Sequence, residues 1–297
     1  MAPVRKRRMQ LSCQSSVTST CDTQFSTEGK LGKGRWGDVY KVKFPGGKYR
    51  GLRALKMLTE ELKHTDETTT QKQLCHRNIV RCYGSFAAHN DKYIVLELCS
   101  YSLEDLLKSR GHLTHPEVRM NTIQILGGIK HIHKHGLIHR DIKPRNILVS
   151  RDGYLKISDF GLAVDLQTLR DKPPIRGTLR YMAPELLESG EKYGQSVDIW
   201  SVGVSIPFFP ALAGRWSSTF ENSITEPAKE LLGQLIVEAS RRRCPDEIVT
   251  HHYLSNGPYL EKIHPHYQFC PPSPEHGPDR DKALFQEYCR VAGLTCT

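Results

Sequence analysis

The chain has 297 residues, 38% hydrophobic and 25% charged, with 42 Lys and Arg against 32 Asp and Glu for a formal net charge of +10. That length holds one large domain or two small lobes sharing a cleft, and the composition is that of an ordinary soluble globular protein. No stretch approaches the roughly 18 apolar residues of a membrane span, none of the nine cysteines forms a C-x-x-C metal pair, and no apolar leader follows Met1, so a membrane partner is not expected and a reducing cytoplasm or nucleus is.

The positive charge would attract phosphate-rich or acidic partners. No helix-turn-helix, zinc-finger or RNP-like pattern accompanies it, so nucleic acid is not the expected partner.

Residues 1–24 are rich in Ser, Thr, Gln and basic side chains without periodicity and read as a flexible arm. Its run Arg5-Lys6-Arg7-Arg8 is equally a weak nuclear-import signal or a solvated tail. From Phe25 to Leu98 the pattern is mostly short β segments. Leu31 to Gly34 leads into Gly37–Phe44, Pro45-Gly46-Gly47 turns the chain into Tyr49–Leu58, and Ile79–Phe86 and Tyr93–Leu98 supply two more strands. Residues 60–74 between them have room for only a short helix.

After Leu98 the period changes. Ser102 caps a helix bearing Leu103, Leu106 and Leu107, with Glu104 and Asp105 at its positive dipole end. A long helix is expected over 116–135, opened by Pro116 and carrying Val118, Ile125, Leu126, Ile129, Ile132 and His133 at helical spacing. Further helices are expected at 196–206, 227–238 and 245–253. The tail 256–297 is proline-rich and reads as an extended wrap or disorder. The fold class is therefore α+β: a β-rich N-lobe over 25–98 and a mainly helical C-lobe over 99–255.

Four motifs carry chemistry. In Gly32-Lys33-Gly34-Arg35-Trp36-Gly37-Asp38-Val39 the glycines are followed by strand residues rather than a helix. This makes a hairpin flap whose backbone can approach phosphates closely, not a dinucleotide turn. Arg53-Ala54-Leu55-Lys56 places a lysine on the next strand, in reach of α- and β-phosphates if a carboxylate fixes its amine. His139-Arg140-Asp141-Ile142-Lys143-Pro144-Arg145-Asn146, with Ser158-Asp159-Phe160-Gly161, supplies a base in Asp141 and a γ-phosphate counter-charge in Lys143. Asn146 and Asp159 offer hard oxygen ligands to magnesium. The last set is Gly177-Thr178, Met182-Ala183-Pro184-Glu185 and Asp198-Ile199-Trp200. Glu185 and Asp198 read as structural carboxylates, with Arg242 or Arg243 suited to pair with Glu185.

Taken in this order and spacing, the motifs resemble those of the eukaryotic protein kinase family over about 25–255. The resemblance implies the bilobal kinase fold with ATP in its cleft and Mg2+, or Mn2+, as the metal. Adenine would lie among Leu31, Val39, Ala54 and Leu148, with hinge contacts from Glu97, Leu98 and Cys99 and with Leu96 as gatekeeper. Gly32, Gly34 and Gly37 would cover the phosphates. Lys143, two residues after the base, and Thr178 match serine/threonine kinases, which implies protein substrates. Glu97-Leu98-Cys99 with Ser102-Leu103, and Arg180-Tyr181-Met182, are similar to Wee/Myt-like and Polo-like kinases without singling out either.

Three departures stand out. Glu67 is the partner implied for Lys56, but the interval between them is short for the family, and Thr68-Thr69-Thr70 disfavours helix by roughly half a kcal/mol per residue relative to Ala. Glu60 and Glu61 remain alternatives, and a marginal helix here invites an activating partner. Gln71 occupies a position where an apolar side chain is expected, so its amide needs hydrogen-bond partners. Pro207 and Pro210 interrupt what should be a long central helix.

Arg140 could bind a phosphorylated loop, but between Gly161 and Gly177 the sole hydroxyl is Thr168, and Pro174 stands where many relatives carry the activating site. Loop phosphorylation is therefore not expected to be required. Arg145 would repel basic peptides and favour acidic ones. The competing reading is a pseudokinase, a kinase-shaped binding module with weak or no catalysis.

Overall fold

A computed structural model describes residues 25–34, 37–59, 67–88, 91–110, 113–169, 177–187, 193–206 and 225–255. The arm 1–24, Glu60, Glu61, Pro174, Pro207, Pro210 and the tail 256–297 lie outside the described residues. The chain forms two compact units, one from residues 1–75 and 80–99, the other from 76–79 and 100–297.

The first unit is an antiparallel sheet of β1 (Ser26–Gly34), β2 (Gly37–Phe44), β3 (Gly51–Leu58), β4 (Cys82–Ala88) and β5 (Asp91–Leu96), ordered β1-β2-β3-β5-β4. Period-two alternation gives the sheet two faces. On one, Val42, Phe44, Leu55, Tyr93 and Val95 pack with Phe25 and Ala88 as a buried cluster. The other presents Ala54, Lys56 and Leu58 from β3 with Ile94 and Leu96 from β5, all buried. The single helix described here, α1 (Glu67–Lys72), has six residues, as the threonine run led one to expect. Strand β1 starts five residues before Leu31, and β3 starts at Gly51 rather than Tyr49.

The expected strand Ile79–Phe86 is divided. Ile79 forms a parallel bridge to Ile157, and Asn78 Nδ2 donates to Leu155 O at 2.9 Å, so residues 76–79 belong to the second unit and β4 begins only at Cys82. An apolar run shows that a strand is buried but not against which sheet.

The second unit is mainly helical. A short strand β6 (Tyr101–Ser102) leads into α2 (Leu103–Arg110). The Ser102 cap is reciprocal: its Oγ accepts from Asp105 N at 3.1 Å, and Asp105 accepts from Ser102 N at 3.0 Å. Helix α3 (His115–Lys134) starts one residue earlier than expected, because the Glu117 carboxylate reaches back to Thr114 N at 2.8 Å and Thr114 Oγ1 at 2.9 Å. The Thr-x-x-Glu spacing was a readable signal for that start.

After α3 come β7 (Leu137–Ile138), β8 (Ile147–Val149), β9 (Leu155–Ile157) and β10 (Val164–Asp165), paired as β6-β8-β9 and β10-β7. Helices α4 (Pro184–Leu187), α5 (Ser196–Ser205) and α6 (Glu226–Leu235) follow, and α5 buries Val197, Ile199, Trp200, Val202 and Val204. The helix expected over 245–253 is two, α7 (Pro245–Val249) and α8 (His252–Ser255). Thr250 Oγ1 donates back to Glu247 O at 2.8 Å and breaks the continuity.

Candidate active site

In the first unit the sheet register sets the site. The pairs Val39↔Lys56, Lys41↔Ala54 and Ala54↔Leu96 place the flap strand, the lysine strand and the gatekeeper position side by side. Gly34 and Gly37 pair with each other at the end of the β1–β2 hairpin, and Gly32 pairs with Val39. Gly37 has φ +143°, and a Cβ there would stand 2.0 Å from Met57 O, so only glycine lets the flap strand pass this close to β3. Lys30 Nζ, 2.6 Å from Asp38 Oδ2, pins the hairpin below its tip.

Lys56 lies on the buried face of β3 with its Nζ 2.7 Å from Glu67 Oε1, the two side chains only 6% and 1% exposed. The six residues of α1 suffice to deliver Glu67. The marginal helix is fastened by Gln71, whose Nε2 donates to Val80 O at 2.9 Å, although its buried Oε1 has no hydrogen-bond partner among the described residues. Leu31 is half exposed, Leu96 buried and Cys99 intermediate; Glu97 N donates to Arg81 O at 2.9 Å at the unit's end.

In the second unit the loop after β7 carries Asp141, Lys143 and Asn146, Thr178 joins them from the segment before α4, Asp159 follows β9, and Leu148 sits on β8 opposite Lys156. Asp141 is buried, and its carboxylate accepts from Lys143 Nζ at 2.7 Å, Asn146 Nδ2 at 2.8 Å and Thr178 Oγ1 at 3.1 Å. Lys143 Nζ also donates to Thr178 Oγ1 at 2.7 Å. Thr178 reaches this cluster because Gly177, at φ +132°, lies flat against the loop; a Cβ would stand 2.9 Å from Arg140 O. The Asn146 amide nitrogen is spent on Asp141, so its oxygen is the atom left to meet a cation. Ser158 N and Oγ both donate to Asn146 O at 2.9 Å, tying Asn146 to the segment bearing Asp159.

Among the described residues, two that are not glycine adopt the left-handed region, Arg140 at φ 64° and Asp159 at φ 66°. Such conformations persist only where surroundings enforce them. For Arg140 the enforcing group is Asp198, fully buried, which accepts Arg140 N, His139 N and His133 Nε2, each at 2.9 Å. Burial by itself would raise the Asp198 pKa, but the His133 hydrogen bond, the imidazole charges and the His139 amide outweigh it and hold the carboxyl below its ordinary value.

Burial also pushes His139 below the usual histidine range. As a neutral imidazole it fits both its contacts, Nε2 facing Ser158 O at 3.1 Å and Nδ1 accepting Asp141 N at 3.3 Å, while its ring meets Phe160 edge-on at 4.8 Å. Sequence reasoning placed His133 on this helix by its spacing but did not find its partner, Asp198, which lies 65 residues along the chain.

Glu185 is paired, and by Arg242 rather than Arg243. Arg242 Nη1 lies 2.6 Å from Glu185 Oε1 and 2.9 Å from Ser196 O, and Arg242 Nη2 lies 2.7 Å from Val237 O. This pair ties α4 to α5 and touches no candidate catalytic residue.

Residues 25–216 match the family model described as protein kinase domain. The chain is 34% identical over 279 residues to a probable serine/threonine-protein kinase, CCRP1, of Zea mays, covering 84% of this chain and 44% of that protein. It is 36% identical over 210 residues to mitogen-activated protein kinase kinase kinase 3 of Arabidopsis thaliana, covering 67% and 34%. To Aurora/IPL1-related protein kinase 2 of Caenorhabditis briggsae it is 30% identical over 253 residues, covering 77% and 82%. The chain belongs to the protein kinase family. It spans less than half the length of the first two relatives.

Proposed function

We propose that this chain is an active serine/threonine kinase that transfers the γ-phosphoryl group of ATP to Ser or Thr hydroxyls of protein substrates. The observation that carries the reading is the cluster in which Lys143, Asn146 and Thr178 converge on the buried Asp141 carboxylate. Asp141 takes the proton of the attacking hydroxyl as its oxygen bonds to the γ-phosphorus and the bond to ADP breaks. Lys143 offsets charge on the transferring group, and Thr178 fixes both side chains. In the first unit, Lys56, oriented by Glu67, holds the α- and β-phosphates beneath the flap of Gly32, Gly34 and Gly37. Leu31, Val39, Ala54 and the backbone of Glu97 and Cys99 hold the base.

The donor set fits magnesium: the Asn146 amide oxygen and the Asp159 carboxylate are hard oxygen ligands, and no soft ligand stands beside them in the motif. Bound Mg2+ supplies charge neutralisation on the phosphates. Arg145 is exposed beside Lys143 in the turn Pro144–Asn146, which supports a preference for acidic peptides.

The test is incubation of the purified chain with labelled ATP, Mg2+ and a mixed peptide array beside Asp141→Asn. Transfer to Ser/Thr peptides that vanishes in the variant supports the reading. Transfer no greater than the variant's would make the chain a kinase-shaped binding module, and selection of upstream arginines would overturn the acidic preference.

A further inference from the structure

The Arg140 side chain ends on neutral groups. Its Nε donates to Leu162 O at 2.7 Å and its Nη1 to Tyr193 Oη at 3.1 Å, and it forms no ion pair among the described residues. A guanidinium beside a catalytic loop is suited to a phosphate, yet the segment 161–177 offers only Thr168. That residue is exposed, its hydroxyl donating to Asp165 O at 2.9 Å in a turn closed by Thr168 N to the same oxygen at 3.1 Å, and it makes no contact with Arg140 among the described residues.

Tyr193 is well placed to serve instead. It is buried, and the residues after it are fixed to the rest of the unit: Gln195 Nε2 donates to His133 O at 2.8 Å and Leu137 O at 3.3 Å. Five residues on, Asp198 accepts the Arg140 amide. One short stretch, 193–198, therefore grips Arg140 at both ends, its backbone through Asp198 and its guanidinium through Tyr193. Arg140 in turn precedes Asp141 and reaches Leu162, three residues beyond Asp159.

We propose that Tyr193 is a positioning residue that fixes the Arg140 side chain in the role a loop phosphate would otherwise fill, so that the Asp141 and Asp159 segments are held together without phosphorylation of residues 161–177. The catalytic part of this inference rests on the kinase reading above; its structural part rests on the geometry of Arg140 alone.

The experiment compares the full-length wild-type chain, with and without phosphatase treatment, with Tyr193→Phe, Thr168→Ala, Arg140→Lys and the Tyr193→Phe/Arg140→Lys pair. Wild-type kcat should survive phosphatase, and Thr168→Ala should match it. Tyr193→Phe should lower kcat about tenfold, measured well below its melting midpoint, with KM for ATP unchanged and the midpoint lowered by roughly 2–12 °C. The double variant should be no worse than Arg140→Lys.

Amide exchange of peptides spanning 138–142 and 162–166 should quicken in Tyr193→Phe, a readout that needs no turnover. An unchanged kcat with unchanged exchange would overturn the proposal, as would loss of wild-type activity on phosphatase treatment. If wild type transfers no more phosphate than Asp141→Asn, the kinase reading has failed and the exchange measurement alone decides whether Tyr193 holds the loop.

Discussion

Asp198→Asn should both loosen and disable the second unit. The carboxylate accepts three hydrogen bonds at 2.9 Å, two of them from the backbone of His139 and Arg140. An asparagine of the same shape has one acceptor oxygen. If that oxygen takes the place of Oδ2 it serves His139 and His133, and its NH2 then confronts the Arg140 N–H, leaving a buried donor unsatisfied at about 1–3 kcal/mol. Loss of charge assistance on the other two bonds adds roughly 1 kcal/mol each. The sum is about 3–5 kcal/mol, or roughly 6–20 °C in melting midpoint for a unit of this size.

Catalysis should suffer as well. Without its acceptor, Arg140 can leave φ 64° and move Asp141 with it, and a shift of about 1 Å in a reacting group costs on the order of 100-fold. Scanning calorimetry and a peptide-phosphorylation assay read the two effects. A midpoint within about 2 °C of wild type and a kcat within about twofold would refute the reasoning, since Arg140 would then hold its conformation without Asp198.

Glu67→Gln leaves the Lys56 ammonium buried beside a neutral amide; stability should fall by about 3–5 kcal/mol and kcat/KM for ATP at least tenfold, and undiminished ATP kinetics would remove Glu67 from the site. Arg242→Met, which strands the Glu185 carboxylate, should lower the melting midpoint by roughly 6–20 °C, while kcat measured well below that temperature stays within about twofold; a selective loss of kcat would contradict the structural reading. His76 and His131 stack at 5.0 Å, and burial, with positive charge from Arg77, Lys156, Lys134 and His135, lowers both pKa values below 6.5. Because the unfolded chain binds protons first, stability should be full above pH 6.5 and decline as pH falls below it; a His131→Asn variant should lose part of that decline, and an identical pH profile would refute the assignment.

The parts of the fold most legible in the sequence were those fixed by local chemistry. The triple threonine made α1 short, Ser102 capped α2, and the glycine run followed by alternating residues gave the β1–β2 flap. The candidate site was legible because its residues cluster in a few short loops, so spacing alone brought Asp141, Lys143 and Asn146 together. What could not be read depended on distant partners. Ile79 looks like any strand residue until Ile157, far along the chain, takes it into the second unit. Glu185 had two neighbouring arginines to choose from, and only packing against Trp200 and the carbonyls of Ser196 and Val237 selects Arg242.

The same limit explains why the site's strain was invisible. Arginine does not seek the left-handed region, aspartate visits it only occasionally, and nothing adjacent to Arg140 or Asp159 in sequence demands it. At Arg140 the demand comes from Asp198, which fixes a backbone N–H, and from Tyr193 and Leu162, which fix the guanidinium. A conformation costing on the order of 1–3 kcal/mol is thereby offset by bonds to a charged acceptor and from a charged donor, each worth about as much. Losing a side-chain anchor loosens the loop but leaves the backbone held by Asp198; losing Asp198 puts both the strain and an unsatisfied amide on the same residue. The geometry around Asp141 is therefore held by a buried stretch outside the motif that names the base, and the chemistry should respond more steeply to Asp198 than to either side-chain contact of Arg140.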